Sequence, residues 1–599
     1  MINLISIDTV FKLFKNTSIY FLMFLSISIF SQTTFNDGVL QYTVTNASNR
    51  HVSVKKYNDV CPTGSLTIPQ NIENSGESYT ITSIEPFGFY LCYSLTSVSI
   101  PDSVTNIGHD AFGECSSITT INIPTGTAHL SNGIFASCRS LASITIPNTV
   151  TSIGSAVFYD CSSLNNVVIP NSVANESMGG SAFGLCASLT NVTFPNNFTK
   201  IPNGTFFACN SLMEFVIPSN ITNIEATAFY GCSVLEEIII PETVLNIGES
   251  AFGACTSLKK VVLPNSITSL PNNLFYQCSA LKDINIPNSI TSIGNSIFYA
   301  CTSLEEISLP ESVTSIGDSA FGNCDKLRDF DIPSGITTIA ATVFFNCSSL
   351  TEINIPSGVT SIKNGAFAGC NTITEIIIPD GVTSIPDIAF YNCSSLSSII
   401  LPDSITEIGE TAFGNCFSLT SFDIPDTITN ISNQTFYQCT SLTEVSIPNS
   451  ITNIGDRAFY NCNGLTSMTV NLATPLAIDA NVFEYVTTSN ITLTVPSGSV
   501  SAYNTTLVWQ DFGSIAILNV EDFINSLAVD LYPNPVKNQL RISLDSGLKL
   551  QKASIYNGLG QFIKSSKTLT TDTSNLTSGI YVINITTNKG KLTKKFIVQ

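Results

Sequence analysis

The chain has 599 residues, of which 43% are hydrophobic and 11% are charged. This composition excludes an intrinsically disordered chain and indicates a large buried interior. The formal net charge is −20 at pH 7, and residues 1–530 hold 42 of the 44 acidic side chains but only 14 of the 24 basic ones. Because binding to phosphate groups needs a basic face, so acidic a body argues against nucleic acid and anionic membranes as partners.

Residues 1–32 have the pattern of an export signal. Lys12 and Lys15 precede an apolar run from Ile19 to Phe30, and a polar stretch follows the run. The run is too short to span a bilayer comfortably, and no later segment reaches transmembrane length. The sequence therefore predicts a signal peptide at residues 1–32 and an exported mature chain without a transmembrane segment.

A repeat of 23 residues occupies most of the chain. Self-similarity at such a period is typical of a solenoid, whose successive coils share one continuous core. In the unit that begins at Leu442, apolar and polar residues alternate as in a strand, and Pro448 then ends the strand. A phenylalanine lies three residues before each cysteine of the repeat, and these seventeen cysteines are Cys92, Cys115, Cys138, Cys161, Cys186, Cys209, Cys232, Cys255, Cys278, Cys301, Cys324, Cys347, Cys370, Cys393, Cys416, Cys439 and Cys462.

The pattern predicts a mainly β solenoid of about 17 coils, with one short parallel strand per coil and a strand spacing of about 4.8 Å. We expect the phenylalanines and the cysteines to form two ladders in the interior. Free thiols that pack as small hydrophobic groups are the favoured state of the cysteines. Disulfides in part of the ladder remain an alternative, because the spacing of the coils does not exclude them. Zinc sites use paired Cys-x-x-Cys or Cys/His spacings, which are absent.

The repeated unit resembles that of the BspA-like leucine-rich repeat family, whose units look like LxxIxIPxxVxxIGxxAFxxCxS. The resemblance extends from about Asn36 to Leu518. It implies an N-terminal capping region with a degenerate first repeat at 33–91, repeats at 92–470 and a C-terminal capping repeat at 471–520. Members of this family are exported or surface-exposed, and several are adhesins for host proteins or other cells, so the resemblance also implies a binding function.

The C-terminal part of the chain differs from the repeats. After a predicted linker at 521–530, the segment 531–599 carries ten basic and two acidic residues and four candidate strands, at 539–544, 553–556, 581–585 and 594–598. These features predict a small basic β-sandwich.

The motifs LYPNPVKNQL, SIYNGLGQFI and SGIYVINITTNKGKLTKKFIV in this segment resemble the C-terminal sorting domain of type IX secretion substrates. The resemblance implies passage across the outer membrane, a secreted or outer cell-surface location, and the type IX secretion machinery as a partner. The residues that carry the predicted sorting signal are Tyr532, Pro533, Asn534, Pro535, Gly558, Gly560, Gly579, Tyr581, Gly590, Lys594 and Lys595.

The sequence gives no sign of catalysis. The three histidines, His51, His109 and His129, are not spaced as metal ligands. The aspartates that follow strand prolines, such as Asp102, are explained by Asx turns. A pair of glycosidase carboxylates need not be adjacent in sequence, but so regular a repeat leaves no large insertion from which to build a cleft. We therefore predict a protein that is not an enzyme and has no cofactor and no metal site.

Outward-facing strand positions form the continuous surface that solenoids commonly use for binding. Two of its columns are candidate ligand-binding sites. One is mostly acidic and the other is apolar over three consecutive coils; a solvated charge ladder and simple strand propensity are the respective alternatives. The acidic column is Glu214, Glu237, Lys260, Asp283, Glu306, Asp329, Glu352 and Glu375, and the apolar column is Val216, Ile239 and Val262.

Together these features predict a secreted or cell-surface leucine-rich-repeat protein, an adhesin that recognises an extracellular protein or glycan through its strand face. The alternative is a structural component of the cell surface or matrix that has no specific ligand.

Overall fold

The computed structural model of the chain describes residues 33–518, 529–544, 548–558, 562–587 and 590–599. The predicted signal peptide at 1–32, most of the predicted linker and Gly560 lie outside the described residues.

The repeat body is a solenoid whose coils stack with the strands in parallel register, so the predicted mainly β leucine-rich-repeat fold is confirmed. It has about 19 turns, because the two ends add coils that lack the repeated cysteine. The strand predicted in each coil lies on one side, called here the strand face. Its strands are Gly64–Thr67, Leu95–Ser99, Thr120–Ile121, Asn166–Val168, Asn191–Thr193, Glu237–Ile239, Lys260–Val262, Asp283–Asn285, Asp329–Asp331, Glu352–Asn354, Glu375–Ile377, Ser398–Ile400, Ser421–Asp423, Glu444–Ile447, Ser467–Val470, Thr492–Val495 and Ser514–Ile517.

Most coils also contain a second strand of two residues, whereas the sequence analysis predicted only one strand per coil. It forms where the apolar residue of the N-I-G segment turns back into the core, and the polar residue before it faces outward. These strands are Asn106–Ile107, His129–Leu130, Ser152–Ile153, Lys200–Ile201, Asn223–Ile224, Asn246–Ile247, Ser269–Leu270, Ser292–Ile293, Ser315–Ile316, Thr338–Ile339, Ser361–Ile362, Ser384–Ile385, Glu407–Ile408, Asn430–Ile431 and Asn453–Ile454.

Both ends of the solenoid core are covered. At the C-terminal end the rings of Tyr503 and Trp509 are buried, and their polar atoms donate to the backbone oxygens of Leu472 (3.1 Å) and Leu476 (2.8 Å). The N-terminal cap consists of the strands Thr34–Asn36, Leu40–Asn46, His51–Lys56, Asn71–Asn74 and Glu77–Ile84 with a 3-10 turn at Tyr57–Asp59, and the C-terminal cap contains the short helix Val500–Tyr503 and the 3-10 turns Ala480–Phe483, Thr488–Asn490 and Trp509–Asp511.

The phenylalanines form one unbroken stack through the core, as predicted. Between Phe89 and Phe483, successive rings have centroids 5.3 to 6.2 Å apart and planes within 28° of parallel. Such offset stacking adds to the free energy gained by burying the rings.

The cysteine ladder is built on a hydrogen bond that the sequence did not reveal. Each of the sixteen free cysteines is buried, and its thiol donates to the backbone oxygen of the phenylalanine in the preceding coil, from Cys115 to Phe89 (3.1 Å) through Cys462 to Phe436 (3.0 Å). The favoured prediction of free thiols is therefore correct for all but Cys92. Cys92 has no preceding coil of this kind and forms a disulfide with Cys61, the cysteine outside the repeat phase.

The C-terminal segment contains two antiparallel sheets around a core of its own, which includes Val536, Leu540, Ile583 and Phe596. The four candidate strands all lie within observed strands. Three further strands were not predicted: Val529–Tyr532, Phe562–Ser566 and Thr570–Asp572 are short or rich in polar residues. The other strands are Gln539–Leu544, Leu550–Asn557, Gly579–Thr587 and Gly590–Val598.

The phenylalanine stack gives a direct test of the shared core. Phe321 stacks on Phe298 at 5.4 Å and on Phe344 at 5.8 Å. The substitution Phe321→Ala should lower the free energy of unfolding by about 3–5 kcal/mol, because it leaves a ring-sized cavity. Thermal melts followed by circular dichroism measure the shift, and Phe417→Ala, at an exposed phenylalanine, is the control that should leave Tm unchanged. An unchanged Tm for Phe321→Ala would contradict the stacked core.

The buried thiols should make the body sensitive to alkali. Burial raises the pKa of Cys232 and Cys278 from 9.0 to about 12, and it raises the pKa of the other free thiols as well. Since the folded state holds these protons more tightly than the unfolded chain does, the stabilisation is complete below the unfolded pKa and is lost as pH rises toward the folded one.

We therefore expect Tm to fall steeply between about pH 9 and about pH 12, with slow alkylation of the native thiols by iodoacetamide at pH 8. The variant Cys232→Ala/Cys278→Ala should be less stable at neutral pH and should lose Tm less steeply in alkali. A Tm that stays level up to pH 11 would count against the thiol ladder.

Candidate binding surface

The eight residues of the predicted acidic column are all exposed on the strand face. Adjacent strands bring them side by side: Lys260 pairs in register with Glu237 on one side and with Asp283 on the other. Asp329 likewise lies between Glu306 and Glu352. The structure therefore places these residues on the exposed side of the strand face, where their role in binding stays a prediction.

Ion pairs divide this column into two parts. Lys260 reaches Glu237 at 3.1 Å, and in the neighbouring column Lys259 reaches Glu236 at 2.9 Å. Among the described residues, no ion pair within 4.0 Å involves the five acids that follow along the solenoid. These five, called the acidic zone, are Asp283, Glu306, Asp329, Glu352 and Glu375.

The acidic zone is electrostatically unfavourable by itself. Carboxylates on neighbouring strands, about 5 Å apart, repel each other by about 0.8 kcal/mol in water before salt screening. Lys282 and Arg328 in the adjacent column offset only part of this repulsion, because neither approaches a carboxylate within ion-pair distance in the described part of the chain. The repulsion falls when a positively charged group approaches from solvent.

The predicted apolar column is exposed on the strand face. The side chains of Val216, Ile239 and Val262 are 88%, 59% and 39% exposed. The structure adds Met213, which is also exposed and lies three residues before Val216 in the same coil. These four residues are called the apolar zone. Met213 was missed because it occupies a column that is charged in the next coils.

Further along the solenoid the strand face becomes rich in hydroxyl groups. Ser397, Thr420, Thr443 and Thr466 follow one another in the column that carries Lys259 and Arg328 in earlier coils. Each threonine hydroxyl donates to the backbone oxygen of the residue one coil before it, at 3.1 to 3.4 Å. These four residues form the hydroxyl zone, so three chemically different zones follow one another along a single face.

The structure corrects one interpretation of the acids that follow the strand prolines. Asp102 does not form a local Asx turn; its carboxylate accepts hydrogen bonds from the backbone N–H and the hydroxyl of Thr125, one coil further on, both at 3.0 Å. Glu311 bonds in the same way to Ser334. These acids connect neighbouring coils, which is a structural role.

His109 and His129 have different contacts. His109 contacts Asp110 at 3.3 Å and packs edge-on against Phe87, whereas His129 shares a hydrogen bond of 2.7 Å with Ser152. Within the described ranges, no group of three His, Cys, Asp or Glu side chains is placed to hold a metal ion.

In the C-terminal segment, the structure brings two of the predicted sorting motifs together. The side chain of Asn534 accepts a hydrogen bond from the backbone N–H of Ile597 at 2.7 Å, and Val536 pairs with the same strand end. Lys594 lies 3.6 Å from Asp530, while the hydroxyl of Tyr581 donates to the backbone oxygen of Thr577. Tyr532 and Lys595 are exposed.

The other predicted sorting residues that the structure describes lie within or next to the strands of the C-terminal segment. Pro533 and Pro535 follow cis peptide bonds, Gly558 and Gly579 border strands, and Gly590 begins the last strand.

Comparison with protein families gives matches over most of the chain. The family model described as BspA type leucine rich repeat region matches residues 82–212, 176–301, 268–387 and 360–492, together more than half of the chain. The chain belongs to this family. The resemblance of its repeated unit is thereby confirmed. Residues 530–599 of this BspA-type repeat protein match the secretion system C-terminal sorting domain, which directs type IX secretion to the cell surface or beyond it.

Several solved structures are similar to the BspA-type repeat protein. A leucine-rich repeat protein from Bacteroides ovatus is 23% identical, with 81% of this chain and 100% of that chain covered and a TM-score of 0.37. A leucine-rich cell surface protein from Faecalibacterium prausnitzii is 26% identical, with 71% and 95% covered and a TM-score of 0.39. The pneumococcal vaccine antigen PcpA is 19% identical, with 82% and 99% covered and a TM-score of 0.26. No curated protein matches.

The matches indicate no catalytic family. Across the residues described here, no helix has the length and apolar character needed to cross a membrane.

Proposed function

We propose that this BspA-type repeat protein is an adhesin, which binds an extracellular protein or glycan through its strand face without catalysis. The observation that supports this most directly is the sequence of zones on one face: exposed apolar side chains stand beside five consecutive acids that have no ion-pair partner within the described residues. Apolar groups that are exposed together and bordered by charge are typical of protein interaction sites.

Each zone would contribute differently to binding. The apolar zone supplies area that is favourable to remove from water, as the anchoring centre of an interface does. The acidic zone attracts positively charged groups, which speeds association and selects among partners. The hydroxyl zone offers hydrogen-bonding groups at the regular spacing of the coils, which suits a polar partner such as a glycan.

The acidic zone also weighs against the alternative of a structural component that packs side by side through this face. Two copies meeting there would bring five unpaired carboxylates against five more, and like charges placed opposite one another destabilise an interface. A partner of different charge avoids that cost.

Binding should depend on the sign of the charge in the strand face. We expect the purified protein to bind saturably to a component of a matrix-protein or glycan array. The variant Glu237→Lys/Asp283→Lys/Glu306→Lys should weaken that binding at least about tenfold, which corresponds to about 1.4 kcal/mol. Surface plasmon resonance on the retained component measures the affinity.

The matched control is Asp380→Lys/Asp403→Lys/Asp426→Lys, which makes the same change of charge at exposed acids in the turns after the strand prolines. This control should bind as the unchanged protein does. If both triple variants lost the same amount of binding affinity, the effect would come from overall charge, and the strand face would be excluded as the binding site. If the protein bound no component of either array, the result would favour the alternative of a structural component.

The apolar zone has a separate test. The variant Val216→Asp/Val262→Asp should abolish binding to the component found on the arrays, because it places charges at the apolar centre of the proposed site. Both side chains are exposed, so Tm should change little. Unchanged binding, measured in the same way, would exclude this zone from the site.

A further inference from the structure

Partly exposed aromatic rings follow one another on the side of the body that bears the cysteines, in five consecutive coils near its C-terminal end. Each ring lies one to four residues after the core phenylalanine of its coil. The side chains of Tyr391, Phe417 and Tyr485 are 37%, 38% and 68% exposed, and the other two are half-buried. The five residues, called the ring row, are Tyr391, Phe417, Tyr437, Tyr460 and Tyr485.

Contacts between coils join the members of the ring row. The side-chain amide of Asn415 donates to the hydroxyl of Tyr391 at 3.1 Å, and its backbone N–H donates to the backbone oxygen of Tyr437 at 2.7 Å. Tyr437 stacks on Tyr460 with ring centroids 4.5 Å apart, and Tyr460 meets Tyr485 edge-on at 5.1 Å. At about 4.8 Å per coil, the row is about 20 Å long.

Packing does not account for two of the exposed rings. The equivalents of Phe417 in the coils on either side are Ser394 and Thr440. Tyr485 corresponds to Asn461 of the coil before it, and its φ of 63° lies in the left-handed region, where large side chains are uncommon. Smaller residues therefore suffice for the fold at both positions.

Side-chain amides stand beside the rings. The residue before the repeated cysteine carries an amide in four consecutive coils, at Asn392, Asn415, Gln438 and Asn461. Asparagine suits the left-handed backbone of this position, but glutamine has no such preference, and two earlier coils have alanine there, Ala254 and Ala300. Within the described residues, no hydrogen bond engages the side chain of Gln438 or the amide oxygen of Asn392. These groups are available to a ligand.

The ring row has no charged side chain of its own. The stretches 390–396, 413–419, 436–442 and 459–465, which run from the core phenylalanine to the next leucine, contain no charged residue. In the coil of Tyr485 the corresponding stretch has one, Glu484, which pairs with Arg457 at 3.0 Å; Arg457 also lies 3.4 Å from Asp456. This surface therefore selects neither an acidic nor a basic partner.

Exposed aliphatic side chains are almost absent around the rings. Among the described residues from 386 to 490, Ile388 is the one exposed Val, Leu, Ile or Met side chain. It leans toward the preceding coil, where its Cδ1 would lie 3.4 Å from a Cβ added to Gly365. The centre of a protein–protein interface is usually apolar and well packed, and the ring row offers no such centre.

We infer that the ring row binds a neutral glycan chain, at a site outside the acidic and apolar zones of the strand face. A sugar ring has a C–H face that packs on an aromatic ring, and its hydroxyls exchange hydrogen bonds with amides, which have both donors and acceptors. A glycan also repeats along its length, so successive sugars meet successive coils. The row borders the hydroxyl zone, since Thr420 follows Phe417 by three residues.

Affinity electrophoresis of the full-length chain tests this inference. Native gels that contain soluble β-glucan, galactomannan, mannan or starch present neutral glycans, and a gel with alginate presents an acidic one. We expect at least one neutral polysaccharide to retard the protein relative to a plain gel. The variant Phe417→Ser/Tyr485→Asn should bind that polysaccharide at least about tenfold more weakly. Its Tm should change little, because serine and asparagine occupy the equivalent positions of neighbouring coils.

The matched control is Phe87→Ser/Tyr93→Ser, which removes two exposed rings from the first full coil. This control should be retarded as the unchanged protein is, and so should the triple lysine variant of the strand face. Binding at the ring row and binding at the strand face are thereby separated, and either can fail without the other.

Three outcomes would overturn the inference: no retardation by any of the neutral polysaccharides, retardation by alginate alone, or retardation that Phe417→Ser/Tyr485→Asn leaves intact. Loss of a protein component of the arrays in this variant, without any glycan binding, would make the row a protein site and overturn it as well. If the double variant does not fold, Tyr485→Asn alone replaces it in the same gels.

Discussion

The repeat body depends on one contact that recurs between neighbouring coils: a cysteine thiol donates to the backbone oxygen of the preceding phenylalanine, beside the stacked rings. The same oxygen also accepts the backbone N–H of the cysteine in its own coil, as Phe89 does from Cys92 at 3.2 Å, so the thiol bond adds to the ring stacking in setting the phase of each coil relative to the last. The two extra residues before Cys186 illustrate the constraint. They are absorbed before Phe183, and Cys186 still reaches the oxygen of Phe158 at 3.2 Å.

A core fixed in this way leaves the outward residues free to differ. Side chains alternate across a strand, so the residues beside the core positions of each coil face solvent and need satisfy no packing requirement. The strand face can therefore change from apolar to acidic to hydroxyl-rich over the same backbone. Because the inward residues set the fold and the outward residues do not, regions of the body differ from one another in surface charge and exposure and not in fold.

Periodicity explains how much the sequence could predict. It places the inward residues and the columns of the strand face, because both repeat with the coil. It could not place features that depend on the ends of the solenoid or on a neighbouring coil. These are the disulfide of Cys61, which lies outside the repeat phase, and the hydrogen bond that Thr125 donates to Asp102.

On the side of the body that bears the cysteines, one packing contact recurs at an interval longer than one coil. A tyrosine ring of one coil lies over a glycine of the next, where an added Cβ would be 2.8 to 3.1 Å from the ring. The pairs are Tyr90 and Gly113, Tyr159 and Gly184, Tyr230 and Gly253, Tyr299 and Gly322, and Tyr391 and Gly414, mostly three coils apart.

This tyrosine–glycine contact thus recurs mostly every third coil, with one interval of four coils between Tyr299 and Tyr391, and the strand face does not follow it. The acidic zone runs through five consecutive coils, Asp283 to Glu375. The acids therefore do not depend on where the tyrosine–glycine contact falls, which agrees with the proposed role of the acidic zone in recognising a partner.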